Sequence, residues 1–178
     1  MRTVRIISNF LFILTRILAF PYLATALYAL VVFLLLNFKP SLGLPINIID
    51  DGTRFEILFP FTNTPFLLGD NNFPFIVEML LFIALYGIFF WLLSDVFNAF
   101  KQKKIFTKYG VVKLSRFYIA NLAVPIVVFI VLSLLSQDER SYMGGVVALH
   151  FIIGVFAFFM AAIFKQGVSL QNEQDLII

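Results

Sequence analysis

Four long apolar segments alternate with polar segments along this chain, and their lengths predict its architecture. They cover about residues 17–38, 75–100, 117–137 and 141–164. Each one reaches the roughly 20 residues that an α-helix needs to cross the hydrocarbon core of a bilayer. The sequence therefore predicts an all-α integral membrane protein with four transmembrane helices, whose main extramembrane loop joins the first two.

The residues before the first span allow two arrangements. Residues 2–16 are also mainly apolar, but they end in Arg16 and lie shortly before Pro21. They form either an interfacial amphipathic helix that precedes the span, or the first part of one long helix that is kinked at Pro21. The sequence does not separate the two.

The loop over residues 39–74 differs from the rest of the chain, because it holds five of the seven prolines. Within it, Asp51-Gly52 is typical of a two-residue hairpin turn, and apolar and polar residues alternate after it. The sequence predicts a short β-hairpin in which residues 46–49 pair with 53–59. We expect further aromatic side chains to rest on the end of the helix bundle or at the level of the lipid headgroups: Phe61, Phe66 and Phe73.

The distribution of lysine and arginine predicts the orientation, since cytoplasmic loops carry an excess of both. The turn over residues 101–116 holds six of the 13 cationic residues. Three further cations fall on the same side: Arg2, Arg5 and Lys165. The opposite side carries Lys39, Arg54 and Arg140. We therefore predict that both termini, the turn and the tail over residues 165–178 are cytoplasmic, and that the loop over 39–74 is extracytoplasmic.

Five polar or charged residues lie at membrane depth and are candidate functional residues: Arg16, Glu78, Asp95, Asn121 and His150. A charged side chain near the centre of a spanning helix costs about 2.5–3.5 kcal/mol on insertion scales, so each needs a partner, a water path or a route to the interface. Matching depths favour contacts of Glu78 with His150 and of Arg16 with Asp95. Alternatively, Glu78 extends its carboxylate to the outer water.

His150 begins a face of small residues, because Gly154, Ala157 and Ala161 follow it at helical spacing. Small residues on one face let helix backbones approach closely. We therefore expect His150 to form a hydrogen bond across a helix interface.

Composition excludes several kinds of site. The 178 residues contain no cysteine and one histidine, which excludes disulfides, thiolate metal sites and multi-histidine zinc sites. No glycine-rich phosphate loop or catalytic constellation is recognisable, so we expect no enzyme activity, no cofactor and no metal. The basic residues lie beside apolar spans, which indicates contact with the bilayer and its anionic lipids rather than direct nucleic-acid binding.

Two short stretches carry a resemblance to a known family. The first is Ile105-Phe106-Thr107 with Leu114 and Arg116, and the second is the ending Glu173-Gln174-Asp175-Leu176. They resemble the uncharacterised bacterial membrane proteins grouped as domain of unknown function 2975. The resemblance implies four spanning helices, cytoplasmic termini and a location in the inner (cytoplasmic) membrane. It also implies a regulatory partner, since members are often encoded beside small helix-turn-helix regulators.

The leading hypothesis is a non-enzymatic inner-membrane protein that acts in signalling, as a sensor or as a sequestering partner of a cytoplasmic regulator. The turn and the tail supply the candidate contact residues: Lys103, Lys104, Phe106, Lys108, Arg116, Glu173, Gln174, Asp175 and Leu176. One alternative is a small transporter or channel subunit whose path is lined by the charged residues at membrane depth and His150. Another is an accessory subunit that docks on a second membrane protein through the small-residue face.

A reporter fused after Ile178 tests the orientation. A reporter that is active only in the cytoplasm is expected to be active there, because the cationic turn and the C-terminus share one side. The same reporter inserted into the loop over residues 39–74 is expected to be inactive. Activity of an exclusively extracytoplasmic reporter at the C-terminus would contradict the predicted topology.

Overall fold

The computed structural model describes residues 2–38, 43–102, 104–135 and 140–175, and of residues 140–142 and 175 the backbone alone. Its four α-helices are α1 (Arg2–Phe38), α2 (Phe73–Phe100), α3 (Lys108–Leu135) and α4 (Arg140–Asp175). Each is long and apolar enough to cross a membrane, which confirms the expectation of four such helices. The chain is a multi-pass membrane protein. Two of the predicted contact residues, Lys103 and Leu176, lie outside the described residues.

Helices that follow one another in the chain pack side by side and antiparallel. One ring pair marks each interface: Phe20–Trp91 between α1 and α2 at 5.8 Å, Phe89–Phe117 between α2 and α3 at 5.6 Å, and Tyr118–Phe158 between α3 and α4 at 5.5 Å. The start of α1 and the end of α4 therefore lie at the same end of the bundle as the α2–α3 turn. We call this the turn end, and the opposite end the sheet end.

α1 is a single helix, so the structure has the continuous arrangement of the two weighed for residues 2–16. Its 37 residues make it about 55 Å long, against a hydrocarbon core of about 30 Å. Pro21 lies inside the helix at an exposed position. α1 therefore extends well beyond the thickness of the hydrocarbon core.

α4 is also longer than the bilayer core is thick, and it continues past Phe164, the predicted end of the fourth span. The polar composition after Phe164 indicated a separate tail over residues 165–178, but the helix continues without a break to Asp175. Residues 165–175 contain no proline and one glycine, and several of them are good helix formers. The described part of the tail is thus an extension of a membrane helix.

Three short strands lie between α1 and α2: β1 (Ile46–Ile49), β2 (Arg54–Leu58) and β3 (Pro65–Asp70). They form an antiparallel sheet in the order β1-β2-β3. The predicted pairing of the first two is present, with Ile46 opposite Ile57 and Ile49 opposite Arg54. The turn between them is a 3₁₀ turn over Asp50–Gly52 rather than the expected two-residue turn.

The third strand was missed because its sequence argues against a strand. It begins with Pro65 and contains Gly69, and both residue types are disfavoured in strands. Gly69 is needed for packing, since a Cβ atom there would overlap the Phe75 ring and lie 3.0 Å from the Phe55 ring. The absence of a side chain thus lets β3 lie close against the start of α2.

The sheet is fixed to the helices by an apolar cluster. Phe55 and Ile57 of β2 have no exposed surface. The Phe55 ring lies 5.1 Å from the Phe33 ring of α1 and 6.5 Å from the Phe75 ring of α2. Tyr28 Oη also donates a hydrogen bond of 2.7 Å to the Leu58 carbonyl. Of the three phenylalanines that were expected to rest on the bundle or at headgroup level, Phe61 and Phe73 are exposed, and the Phe66 ring contacts that of Phe59.

Two phenylalanines of the sheet region test this packing. Phe55→Ala removes a ring with no exposed surface, so the free energy of unfolding should fall by about 3–5 kcal/mol. Phe61→Ala is the matched control, because Phe61 is fully exposed in the structure and its loss should change stability by less than about 0.5 kcal/mol. Thermal unfolding in a mild detergent measures both, and equal losses would contradict the packing described.

Candidate functional site

A cluster of three charged side chains lies between α1, α2 and α3 toward the turn end. The Asp95 carboxylate of α2 accepts from Arg16 Nη2 of α1 at Oδ1 (2.8 Å) and from Lys113 Nζ of α3 at Oδ2 (2.7 Å). The side chains of Arg16, Asp95 and Lys113 are 19%, 15% and 17% exposed. One carboxylate therefore joins three helices.

Sequence reasoning found two of the three members. The contact of Arg16 with Asp95 that matching depths favoured is present. Lys113 was counted only as an orientation signal, although the antiparallel packing of α2 and α3 puts it at the depth of Asp95. A comparison of depths across the short α2–α3 turn would have placed it beside Asp95.

Aromatic rings cover the arginine of this cluster. The Arg16 guanidinium carbon lies 3.8 Å from the centre of the Trp91 ring and 5.4 Å from that of Phe12. Phe12 lies one turn from Arg16 on α1, and Trp91 lies one turn from Asp95 on α2. Such cation–π contacts are worth about 0.5–2 kcal/mol, with the larger values where water is excluded.

The cluster carries a net positive charge, since two cations share one carboxylate. Each oxygen of Asp95 already accepts a hydrogen bond from a cation. In the described parts of the chain, no three His, Asp or Glu side chains converge as metal ligands. The chemistry that the cluster offers is therefore reversible ion pairing between helices, which holds α1 and α3 to α2.

Polar contacts continue from the cluster to the turn. Asn98 Nδ2 donates to Tyr109 Oη (2.9 Å), which links the end of α2 to the start of α3. Arg5 Nε of α1 donates to the Lys101 carbonyl (3.3 Å), and the Lys101 ammonium lies 4.3 Å from the centre of the Phe12 ring. The turn end is thus tied across three helices.

A second polar pair lies deeper in the bundle, between α3 and α4. His150 Nδ1 and Asn121 Oδ1 are 2.8 Å apart, and both residues are less than 5% exposed. Asn121 Nδ2 donates to the Phe117 carbonyl (2.8 Å), so its Oδ1 is the acceptor and Nδ1 of His150 carries the proton. The expected hydrogen bond of His150 across a helix interface is present.

The expected contact of His150 with Glu78 is wrong. The His150 ring packs on Phe89 (5.3 Å) and Tyr86 (6.2 Å) of α2. Tyr86 lies eight residues beyond Glu78, which is about 12 Å along the helix axis. Depth estimated from the ends of apolar segments was too coarse to separate Glu78 from Asn121 as the partner of His150.

The small-residue face of α4 is used within the chain. His150, Gly154, Ala157 and Ala161 are all buried. A Cβ atom at Gly154 would lie 2.7 Å from Leu122 Cδ2, so α3 and α4 approach closely there, as predicted. This face is already covered, which removes it as a docking surface for a second membrane protein.

Aromatic rings at the turn end pack against α4 where its extension, residues 165–175, begins. The Phe106 ring lies against Gly167, where a Cβ atom would come within 2.5 Å of it. Phe164, which is 2% exposed, packs against Phe106 at 5.3 Å and against Phe100 at 5.2 Å. Phe106, predicted as a contact for a partner, is therefore half-buried and fixes the turn to α4.

Five of the other predicted contact residues are exposed at the turn end or in the α4 extension: Lys104, Lys108, Arg116, Glu173 and Gln174. Asp175 is the last described residue of α4, and its side chain is outside the description. The structure brings the turn and the α4 extension together through Phe106.

The shared carboxylate predicts an ordered set of stabilities. Asp95→Asn leaves two cations facing each other, so the free energy of unfolding should fall by about 2–4 kcal/mol. Lys113→Met leaves the Arg16–Asp95 pair balanced and should cost less. Asp70→Asn, at an exposed carboxylate of the sheet, should change stability by less than about 0.5 kcal/mol. Thermal unfolding in detergent measures all three, and a larger loss for Lys113→Met than for Asp95→Asn would contradict the arrangement.

A double-mutant cycle tests the partner of His150. Alanine substitutions at Asn121 and His150 should show a coupling energy of about 0.6–1.7 kcal/mol, as is typical of hydrogen bonds between membrane helices. The same cycle with Glu78 in place of Asn121 should show a coupling below about 0.5 kcal/mol, because the two sites are far apart. A larger coupling for Glu78 would restore the pair expected from sequence.

Comparison with known proteins places the chain in a family. A family model described as a protein of unknown function (DUF2975) matches residues 63–178, about two thirds of the chain. The match includes β3 and the last three helices, with Asp95, Lys113, Phe106 and Gly167. No curated protein and no solved structure matches the chain. The chain therefore belongs to the DUF2975 family of proteins of unknown function.

Proposed function

We propose that the chain is a non-enzymatic inner-membrane protein that senses a signal for, or sequesters, a cytoplasmic regulator. In this proposal the turn end faces the cytoplasm. The positive-inside rule supports that orientation, because the antiparallel packing gathers the five described cations of residues 101–116 at the same end as Arg2, Arg5 and Lys165.

The continuous helix of α4 is the observation that carries the proposal. From Lys165 to Asp175 the helix extends by about 15 Å, and its polar residues include the exposed Glu173 and Gln174. Phe106 packed on Gly167 holds the base of this extension to the α2–α3 turn. An ordered helix loses less conformational entropy on binding than a disordered tail would, so it is suited to hold a partner protein.

The cations at the turn end suit a partner with an acidic surface. Arg2, Arg5 and Lys101 line one concave patch there. Lys104 and Lys108 lie exposed on the turn itself. Complementary charge would speed the encounter and set the orientation of such a partner. The family resemblance favours a helix-turn-helix regulator as that partner.

The same elements supply a route from the membrane to the cytoplasmic face. α2 carries both Asp95, which holds α1 and α3, and Phe100, which packs on Phe164 of α4. A signal that favours a different distance of α1 or α3 from α2 would act on the ion pairs of Asp95. It would shift the equilibrium between the paired and the altered helix arrangement only as far as its affinities for the two differ.

Affinity purification from native membranes with three variants tests the proposal. A chain that ends at Gln166 should insert normally but lose a cytoplasmic DNA-binding protein that the full chain retains. Gly167→Val should weaken the same interaction, because its Cβ meets the Phe106 ring. Gly145→Val is the matched control, since a Cβ atom there meets nothing within 4 Å. Identical partners with and without residues 167–178 would end the proposal.

A further inference from the structure

The β2–β3 hairpin points along α1 toward the middle of the membrane. β2 runs antiparallel to α1, because Phe55 packs on Phe33 while Leu58, three residues later, accepts the hydrogen bond of Tyr28. Tyr28 lies ten residues before the end of α1, which is about 15 Å along its axis. The residues that follow Leu58, 59–64, are here called the hairpin tip. They begin at the level of Tyr28 rather than above the end of the helix.

Two features at the turn end locate the bilayer relative to this tip. Lys101 of the cationic turn, which suits the headgroups, lies over the ring of Phe12 on α1. Arg16 of the charged cluster lies one turn deeper on the same helix. A hydrocarbon core of about 30 Å that starts between these levels ends about level with residues 32–36 of α1. Tyr28 lies about 6–12 Å on the membrane side of that edge. The hairpin tip therefore begins about 6–12 Å inside that edge, among the acyl chains.

The side chains of the tip match that position. Phe61 is fully exposed and Phe59 is 44% exposed, while the Phe59 and Phe66 rings stack at 4.5 Å. The tip contains no charged residue. Four of the five charges of the sheet lie at its opposite end: Asp50, Asp51, Arg54 and Asp70. The sheet is thus charged at one end, while the other end is uncharged and presents aromatic rings, which are enriched near membrane interfaces.

The backbone of the tip is also adapted to an apolar boundary. Phe59 N–H donates to the Thr64 carbonyl (2.9 Å), and Thr62 N–H donates to the Phe59 carbonyl (3.1 Å). Thr64 N–H donates to Thr62 Oγ1 (3.2 Å), and Pro60 has no N–H to satisfy. Internal hydrogen bonds lower the cost of moving a turn out of water. Phe61 has φ +63, a backbone conformation rare for this residue type, and it holds the ring outward.

We propose that the hairpin tip is a membrane anchor, in which Phe59 and Phe61 insert among the acyl chains of the leaflet at the sheet end. The occupant of this exposed aromatic surface is lipid rather than protein, because the tip lies at bilayer depth. The proposal does not depend on the orientation of the chain or on the proposed regulatory function.

Depth-dependent fluorescence quenching tests the anchor. In a Trp91→Phe background, Phe61→Trp places a single tryptophan at the tip, and the protein is reconstituted into phosphatidylcholine–phosphatidylglycerol vesicles. Doxyl groups on the acyl chains should quench this tryptophan several-fold more than they quench a tryptophan at position 70. Asp70→Trp in the same background is the control at the polar end of the sheet, and aqueous iodide should quench it several-fold more than the tip tryptophan.

Two results would overturn the anchor. Iodide quenching of the tip equal to that of Asp70→Trp would show that the tip lies in water. Protection of the tip from both iodide and doxyl lipid would show that a second copy of the chain covers it instead. Phe59→Trp, at the other exposed ring of the tip, repeats the measurement and keeps the test decisive if Phe61→Trp fails to fold.

Discussion

A charge inside a membrane must find a partner within the protein, and the structure depends on how Asp95 meets that requirement. Its carboxylate takes one cation from α1 and another from α3, so both helices are held to α2 at one depth. The packing of rings around the cluster follows from the same need, because Phe12 and Trp91 shield the guanidinium of Arg16. Elsewhere in the bundle, apolar side chains face lipid and helix positions are set by shape, through close approaches such as Gly154 against Leu122.

The number of long helices was readable from sequence, because a bilayer imposes a minimum apolar length that few soluble segments reach. Contacts between helices were predictable only where few residues of opposite charge lie at the same membrane depth, as for Arg16 and Asp95. His150 shows the limit, since depths estimated from the ends of apolar segments did not exclude Glu78, which lies about 12 Å along α2 from the Tyr86 that packs on His150. The third strand was hidden for a different reason, because packing on Phe75 overrode what Gly69 indicates locally.

The candidate functional elements lie in two groups, one at each end of the helix bundle. The turn end carries the ion cluster, the basic patch and the extension of α4, and the sheet end carries an apolar core and the hairpin tip. α2 is common to both, because it packs on the sheet through Phe75 and carries Asp95 twenty residues later. Proposals for signalling and for lipid contact therefore rest on separate residues of one scaffold, and each can fail without the other.

Different interactions hold α1 to α2 at the two ends of the pair. At the sheet end, Phe55 is wedged against Phe33 and Phe75, and such apolar packing is nearly indifferent to ionic strength. At the turn end, the fastening is an ion pair, which the loss of one charge abolishes. Removal of a charge, as in Asp95→Asn, thus loosens one end while the other remains fixed. α1 and α2 would then separate at the turn end by a hinge motion about their contacts at the sheet end.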